Sequence, residues 1–129
     1  MGNDETEVIR RIIMIDIKKY YPLFDYPEGY VKLKTLNLIN FDLWYFIPDE
    51  QLDIRINGLK KRFPNRQLIP FARRTDNDDI ACFELGKGEC VQIIHDYSSP
   101  GYEQREEYES IWMWARNAFD ELIQNESYC

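Results

Sequence analysis

The feature that most constrains the fold is a run of short apolar segments in residues 68–97, LIPFARRTDNDDIACFELGKGECVQIIHDY. Three of these segments have the alternation and the β-branched and aromatic content of strands, which predicts strands over 68–73, 80–85 and 90–96. The connectors 75–79 and 86–89 are short and rich in Asp, Asn or Gly, as tight turns require. Because strands joined by such turns run antiparallel, the sequence predicts an antiparallel meander.

Helical periodicity is found in three other places, over 6–21, 48–63 and 104–124. The middle segment begins at Pro48, carries acidic residues in its first turn and basic residues in its last, and places Leu52, Ile56 and Leu59 on one face. This charge order matches the helix dipole. The last segment has glutamates near its start, which likewise favours a helix beginning near residue 104.

The two tryptophans of the last predicted helix cannot share a face, because positions two apart differ by about 200° around a helix. Trp112 fits the predicted apolar stripe, which consists of Tyr108, Ile111, Trp112, Ala115, Phe119 and Leu122. Trp114 is then expected at the boundary of the core or on the surface, where it is a candidate anchor for a partner.

The remaining segments complete an α+β prediction. The stretch 26–29 contains Pro and Gly and is predicted as a turn, and the aromatic-rich stretch 30–47 is predicted as one or two strands. We therefore expect a single domain over 1–129, built on a mainly antiparallel sheet of about four to six strands. Helices flank this sheet, and the C-terminal helix is long.

The acidic residues are concentrated in the second half of the chain. Residues 1–70 carry 11 Lys and Arg against 10 Asp and Glu, whereas residues 71–129 carry 5 against 13. A net charge of −7 argues against a nucleic-acid partner, since phosphates require a basic surface, and it favours a basic protein. The sequence has no apolar run near the ~20 residues of a membrane span, and its acidic N-terminus is unlike a signal peptide. The odd number of cysteines, three, is typical of reduced thiols in a cytoplasmic protein.

Templates for catalytic and metal sites fit the sequence poorly. The cluster Asp76–Asp79 resembles a calcium loop in composition, but Ala81 stands where such a loop needs Gly, so a hairpin turn that also contacts a protein is preferred. The single histidine, His95, is adjacent to Asp96, yet neighbours on a strand point to opposite faces. The spacing of Cys82, Cys90 and His95 matches no zinc site. We therefore expect no enzyme activity, no metal and no cofactor.

The order of the segments resembles the SUKH superfamily of yeast-type cell-wall-assembly regulators and bacterial immunity proteins. The resemblance covers about residues 66–123 and rests on LIPFA at 68–72, Asp78-Asp79 before a strand with Cys and Phe, and HDY at 95–97. It implies a non-catalytic α+β domain. It also implies a bacterial immunity protein that binds and neutralises a toxin, frequently a nuclease, of a polymorphic toxin system. The alternative implied by the family is a regulatory or scaffolding domain with an endogenous partner.

A basic toxin domain would meet the acidic half of the chain, and we expect the protein to be a monomer or a weak dimer with no membrane contact. The candidate contact residues are Asp76, Asp78, Asp79, Glu84, Asp96, Tyr97, Tyr102, Glu103, Glu106 and Trp114.

Overall fold

A computed structural model describes residues 17–126. The chain divides into two compact units, residues 1–39 and residues 40–129. The helix predicted over 6–21 lies almost wholly outside the described residues. The single domain over 1–129 stays a prediction.

In the first unit, the described residues contain helix α1, Glu28–Thr35, where the sequence predicted a turn followed by a strand. For residues 28–35 that prediction was wrong: Tyr30 and Leu33, three positions apart, are buried on one face of the helix, and Val31 is buried as well. The strand in the stretch 30–47 comes later, at Trp44–Phe46. Glu28 stands in the first turn and lysines in the last, which complements the helix dipole. The helix ends before Asn37, whose φ of 59° is the left-handed conformation common after a helix.

The second unit contains a five-stranded sheet with the order β1-β2-β3-β4-β5, and every neighbouring pair is antiparallel. The strands are β1 Trp44–Phe46, β2 Leu68–Arg74, β3 Asp79–Glu84, β4 Val91–His95 and β5 Gln104–Tyr108. The predicted meander is confirmed, and its three strands lie within one residue of their predicted bounds.

The fifth strand was not predicted, because residues from Gln104 onwards were interpreted as the start of the last helix. In the structure β5 pairs with β4, Glu107 opposite Gln92 and Tyr108 opposite Val91. Helix α3, Ile111–Glu126, begins only after Ser110, whose hydroxyl accepts a 3.4 Å hydrogen bond from the Met113 amide. Ser110 therefore acts as an N-cap, and pairing with β4 overrides the helical preference of the glutamates.

Two helices pack on the sheet and confirm the α+β class. Helix α2, Leu52–Arg62, follows a short 3-10 turn at Asp49–Gln51, close to where the sequence predicted a helix, and it packs against β2. From α3, the Trp114 ring lies 5.0 Å from Phe71 and 5.6 Å from Trp44, centroid to centroid. No helix among residues 17–126 is both long and apolar enough to cross a membrane.

The buried face of α3 is rotated from the predicted stripe. Trp114 is 1% exposed, whereas Trp112 is 51% exposed and Phe119 is 52% exposed. The prediction for the two tryptophans was therefore reversed. The ring cluster formed by Phe41, Trp44 and Phe71 requires a large aromatic side chain, and position 114 supplies it.

Candidate functional site

The predicted contact residues differ widely in exposure. Four are buried, namely Asp79, Asp96, Glu103 and Trp114, and Glu84 is partly buried. The other five are exposed: Asp76, Asp78, Tyr97, Tyr102 and Glu106. A buried side chain offers almost no area to a partner, so Trp114 in particular cannot serve as an exposed anchor.

The carboxylate of Asp96 is buried at the end of β4 and is neutralised by Arg62 of α2. The Arg62 Nη2 atom forms an ion pair with Asp96 Oδ1, and its Nε donates a 2.7 Å hydrogen bond to the Asp96 carbonyl. The guanidinium also lies over the Tyr97 ring, 4.5 Å from its centroid. Gly58 makes room for this arrangement, since a Cβ there would stand 2.8 Å from Arg62 Nη2. This set of residues therefore ties α2 to β4.

Arg66 binds two more of the predicted carboxylates. It donates two hydrogen bonds to Glu84, of 2.9 and 3.0 Å, and one of 3.1 Å to Glu103. Although burial alone would raise the pKa of Glu103, its own amide, Arg66 and the Gly101 amide outweigh burial and lower that pKa. Glu84 and Glu103 thus form ion pairs within the fold, and their charges are neutralised by Arg66.

Arg74 connects the β2–β3 turn to α3. It forms a bidentate pair with Asp76, with hydrogen bonds of 2.7 and 2.9 Å, and it contacts Glu121 at 2.9 Å. Its guanidinium also lies 5.3 Å from the centroid of the Trp44 ring. The hydrogen bond from Arg74 lowers the pKa of Asp76, so this predicted contact residue is charged and already paired.

Asp79 and His95 face each other on β3 and β4, and Arg105 of β5 joins them. The Arg105 Nε atom is 2.6 Å from Asp79 Oδ1, and its Nη2 is 2.7 Å from His95 Nδ1. An arginine can only donate, so His95 Nδ1 is the acceptor in this contact. Arg105 and Asp79 thus form an ion pair, in which the two opposite charges neutralise each other.

The acidic residues of β5 have a different environment. Glu106 accepts a 2.9 Å hydrogen bond from the Tyr108 hydroxyl, and Glu107 accepts one of 2.7 Å from the Gln92 side-chain amide. Both donors are neutral, so neither hydrogen bond brings a cation to these two exposed carboxylates. Glu107 was missed by the sequence analysis because it was placed on a helix. Burial, and then the bond to Glu106, raises the pKa of Tyr108 to about 12, so this hydroxyl remains a donor at neutral pH.

Two open cavities adjoin β5, which we call the inner cleft and the outer groove. The inner cleft, of about 310 Å³, lies between the sheet and α3 and is lined by Trp44, Arg74, Asp79, Ile93, Glu106, Tyr108, Asn117 and Glu121. The outer groove, of about 450 Å³, is lined by Arg66, Glu84, Lys87, Gln92, Gln104, Arg105, Glu106 and Glu107. Both linings are mainly polar, and the inner cleft has three carboxylates against one cation. The outer groove has three of each, but Arg66 pairs with Glu84 and Arg105 pairs with Asp79, which leaves Glu106 and Glu107 against Lys87. Both cavities are therefore suited to cationic groups.

Of the two cysteines in residues 17–126, Cys82 is buried and is not activated as a nucleophile. Burial, and then the nearby Asp96 carboxylate, raises the pKa of the Cys82 thiol well above its ordinary value, which keeps the sulfur protonated. Within residues 17–126 no three His, Cys, Asp or Glu side chains are grouped so as to hold a metal ion.

Comparison with known proteins identified no relative of this chain. No family model matches the chain, and neither a curated protein nor a solved structure matches it. The resemblance to the SUKH superfamily therefore stays a hypothesis that rests on the motifs quoted above.

Proposed function

We propose that this protein is a non-catalytic binding domain that neutralises a basic toxin domain, as a bacterial immunity protein does. The proposal combines the resemblance of residues 66–123 to the SUKH superfamily with the surplus of acidic residues after residue 70. A nuclease, one class of such toxins, needs a basic groove for phosphates, and an acidic protein can occupy that groove.

The observation that carries the proposal is the uneven neutralisation of the carboxylates. Arginines of the same chain pair with Asp76, Glu84, Asp96 and Glu103. By contrast, Glu106 and Glu107 are exposed and bonded to neutral groups. The negative charge that remains available to a partner thus includes β5, where it can steer a basic protein into contact.

We also propose that the protein acts in the cytoplasm. Cys82 and Cys90 are free thiols, as expected in a reducing compartment. An immunity protein of this kind would meet its toxin inside the cell.

Co-expression with the product of the adjacent gene tests this proposal. If that product is a toxin, growth should be rescued by the intact protein and the two chains should purify together. Growth arrest despite co-expression, with no complex, would contradict the proposal. A stable complex with a non-toxic cellular protein would instead support the regulatory or scaffolding alternative.

A pair of charge-matched variants makes the test specific to β5. Glu107→Lys and Asp120→Lys change the net charge equally, and both residues are exposed. Asp120 lies on α3 and does not line either cavity. Rescue should be weakened by Glu107→Lys and retained by Asp120→Lys.

A further inference from the structure

The two edge strands of the sheet, β1 and β5, differ in whether a neighbouring segment covers them. On β1, Asn40 bridges to Tyr45 and the Phe41 amide donates a 2.7 Å hydrogen bond to the Trp44 carbonyl, so the preceding segment covers this three-residue edge. On the opposite edge, β5 pairs with β4, and no other strand in residues 17–126 pairs with its outer side.

β5 is also long and accessible enough to accept another strand. It has five residues, and the four at 104–107 are exposed. An edge strand has backbone amides and carbonyls that point outward, and an extended segment can pair with them. Soluble proteins usually protect such edges with charge, and here that charge is mainly negative, which repels acidic segments and attracts basic ones.

The two cavities adjoin different faces of the sheet beside β5. Side chains of consecutive strand residues point to opposite faces of a sheet, and on β4 Ile93 lines the inner cleft whereas its neighbour Gln92 lines the outer groove. On β5, Tyr108 lines the inner cleft, while the outer groove is lined by all of 104–107, where the register with β4 shifts. A strand added beside β5 would direct its side chains alternately towards these two cavities.

We propose that β5 binds an extended basic segment of the partner as a sixth strand, with Lys or Arg side chains entering the inner cleft and the outer groove. This inference rests on the proposed function and specifies its binding mode. Backbone hydrogen bonds would supply pairing, and the carboxylates of Glu106 and Glu107 would select the cationic side chains.

A second copy of the chain fits the same edge less well than a basic segment does. In full antiparallel pairing of two β5 strands, Glu106 of one copy would lie opposite Glu106 of the other, and like charges directly opposite each other destabilise a strand pair. Glu107 would lie opposite Arg105, which already pairs with Asp79. A basic segment would meet both glutamates without the repulsion between the two Glu106 side chains.

The test uses the heptapeptide Ac-TKKKKKT-NH2, whose consecutive lysines point alternately to the two faces of a strand, and the same peptide N-methylated at every inner amide. The methylated peptide keeps the charge but loses the donors needed for strand pairing. At low salt, titration calorimetry should show at least tenfold weaker binding of the methylated peptide. Amide hydrogen exchange of residues 104–108 should slow at least tenfold with the unmethylated peptide only.

Protein variants separate pairing from general electrostatic attraction. Glu107→Lys should weaken binding of the unmethylated peptide at least tenfold, and Asp120→Lys should change it less than threefold. Equal binding of both peptides, absent protection of 104–108, or no binding at all would overturn the strand-addition inference. Rescue in co-expression together with such a result would leave the proposed function standing. Strand addition by the peptide without rescue would contradict the proposed function alone.

Discussion

At the scale of single residues, arginine pairing decides which acidic side chains are available. Arg62 neutralises Asp96, while Arg66 neutralises Glu84 and Glu103. The sequence shows that these side chains are acidic, but it does not show which arginine binds them. Their arginine partners are 18 to 37 positions away in the chain and are brought close by tertiary folding. This is why several predicted contact residues proved to be structural.

The pair between Arg62 and Asp96 should contribute strongly to stability. Arg62→Ala leaves a fully buried carboxylate without its cation, and we expect a loss of about 3 kcal/mol in the free energy of unfolding. Urea denaturation measures this loss, and the exposed neighbour Lys61→Ala is the control, expected to change it by about 0.5 kcal/mol or less. A loss below about 1 kcal/mol for Arg62→Ala would contradict the assigned role.

Gly58 should behave unlike an ordinary helical glycine. Replacing Gly by Ala inside a helix usually stabilises by about 1 kcal/mol. Here the new Cβ would displace the Arg62 guanidinium from Asp96, so Gly58→Ala alone should give no gain or a net loss. In the Arg62→Ala background the same substitution should recover about 1 kcal/mol, and a double-mutant cycle by urea denaturation measures the coupling. An equal gain in both backgrounds would be inconsistent with this account.

Glu103 should make stability depend on acid pH. Its pKa in the folded protein lies below the ordinary value of 4.5, so the folded state binds fewer protons than the unfolded state. The resulting stabilisation is present above pH 4.5 and is lost as the pH falls through the lowered pKa. Glu103→Gln should therefore destabilise most at neutral pH, and the difference should shrink by pH 3 in urea denaturation. Glu109→Gln, at an exposed site, is the control for the loss of one acidic side chain.

At the scale of elements, local patterns predicted the centre of the fold and failed where two patterns overlap. The alternation in residues 68–96 and the charge order of α2 each point to one structure, and both predictions hold. In α1 the two-residue spacing of Val31 and Leu33 is typical of a strand, whereas the three-residue spacing of Tyr30 and Leu33 is typical of a helix. In β5 the glutamates favour a helix locally, but the segment forms a strand because it pairs with β4.

The orientation of α3 leads to a direct test with its two tryptophans. Trp114→Ala removes the ring that contacts Phe71 and Trp44 and should cost about 3 to 5 kcal/mol, whereas Trp112→Ala should cost less than about 1 kcal/mol. Urea denaturation measures both. In acrylamide quenching, Trp112→Phe should remove most of the quenchable fluorescence. The opposite ranking would show that the predicted apolar stripe, with Trp112 inside, was correct.

At the scale of the whole molecule, the charge of −7 is distributed unevenly between interior pairs and surface. The antiparallel order of the sheet places β5 at an edge, and β5 carries Glu106 and Glu107 with their charges available. Composition alone predicted a basic partner but not the surface that would meet it. That surface depends on β5 being a strand, which the sequence pattern did not reveal.

The most direct test of the central claim is the dissociation constant for the toxin domain that is captured in co-expression, measured by titration calorimetry with three proteins. Relative to the unmodified protein, Glu107→Lys should weaken binding at least tenfold, since it places a cation on the edge that meets a basic partner. Asp120→Lys makes the same change in net charge and should alter the constant less than threefold. Equal weakening by both variants, or by neither, would contradict recognition through β5.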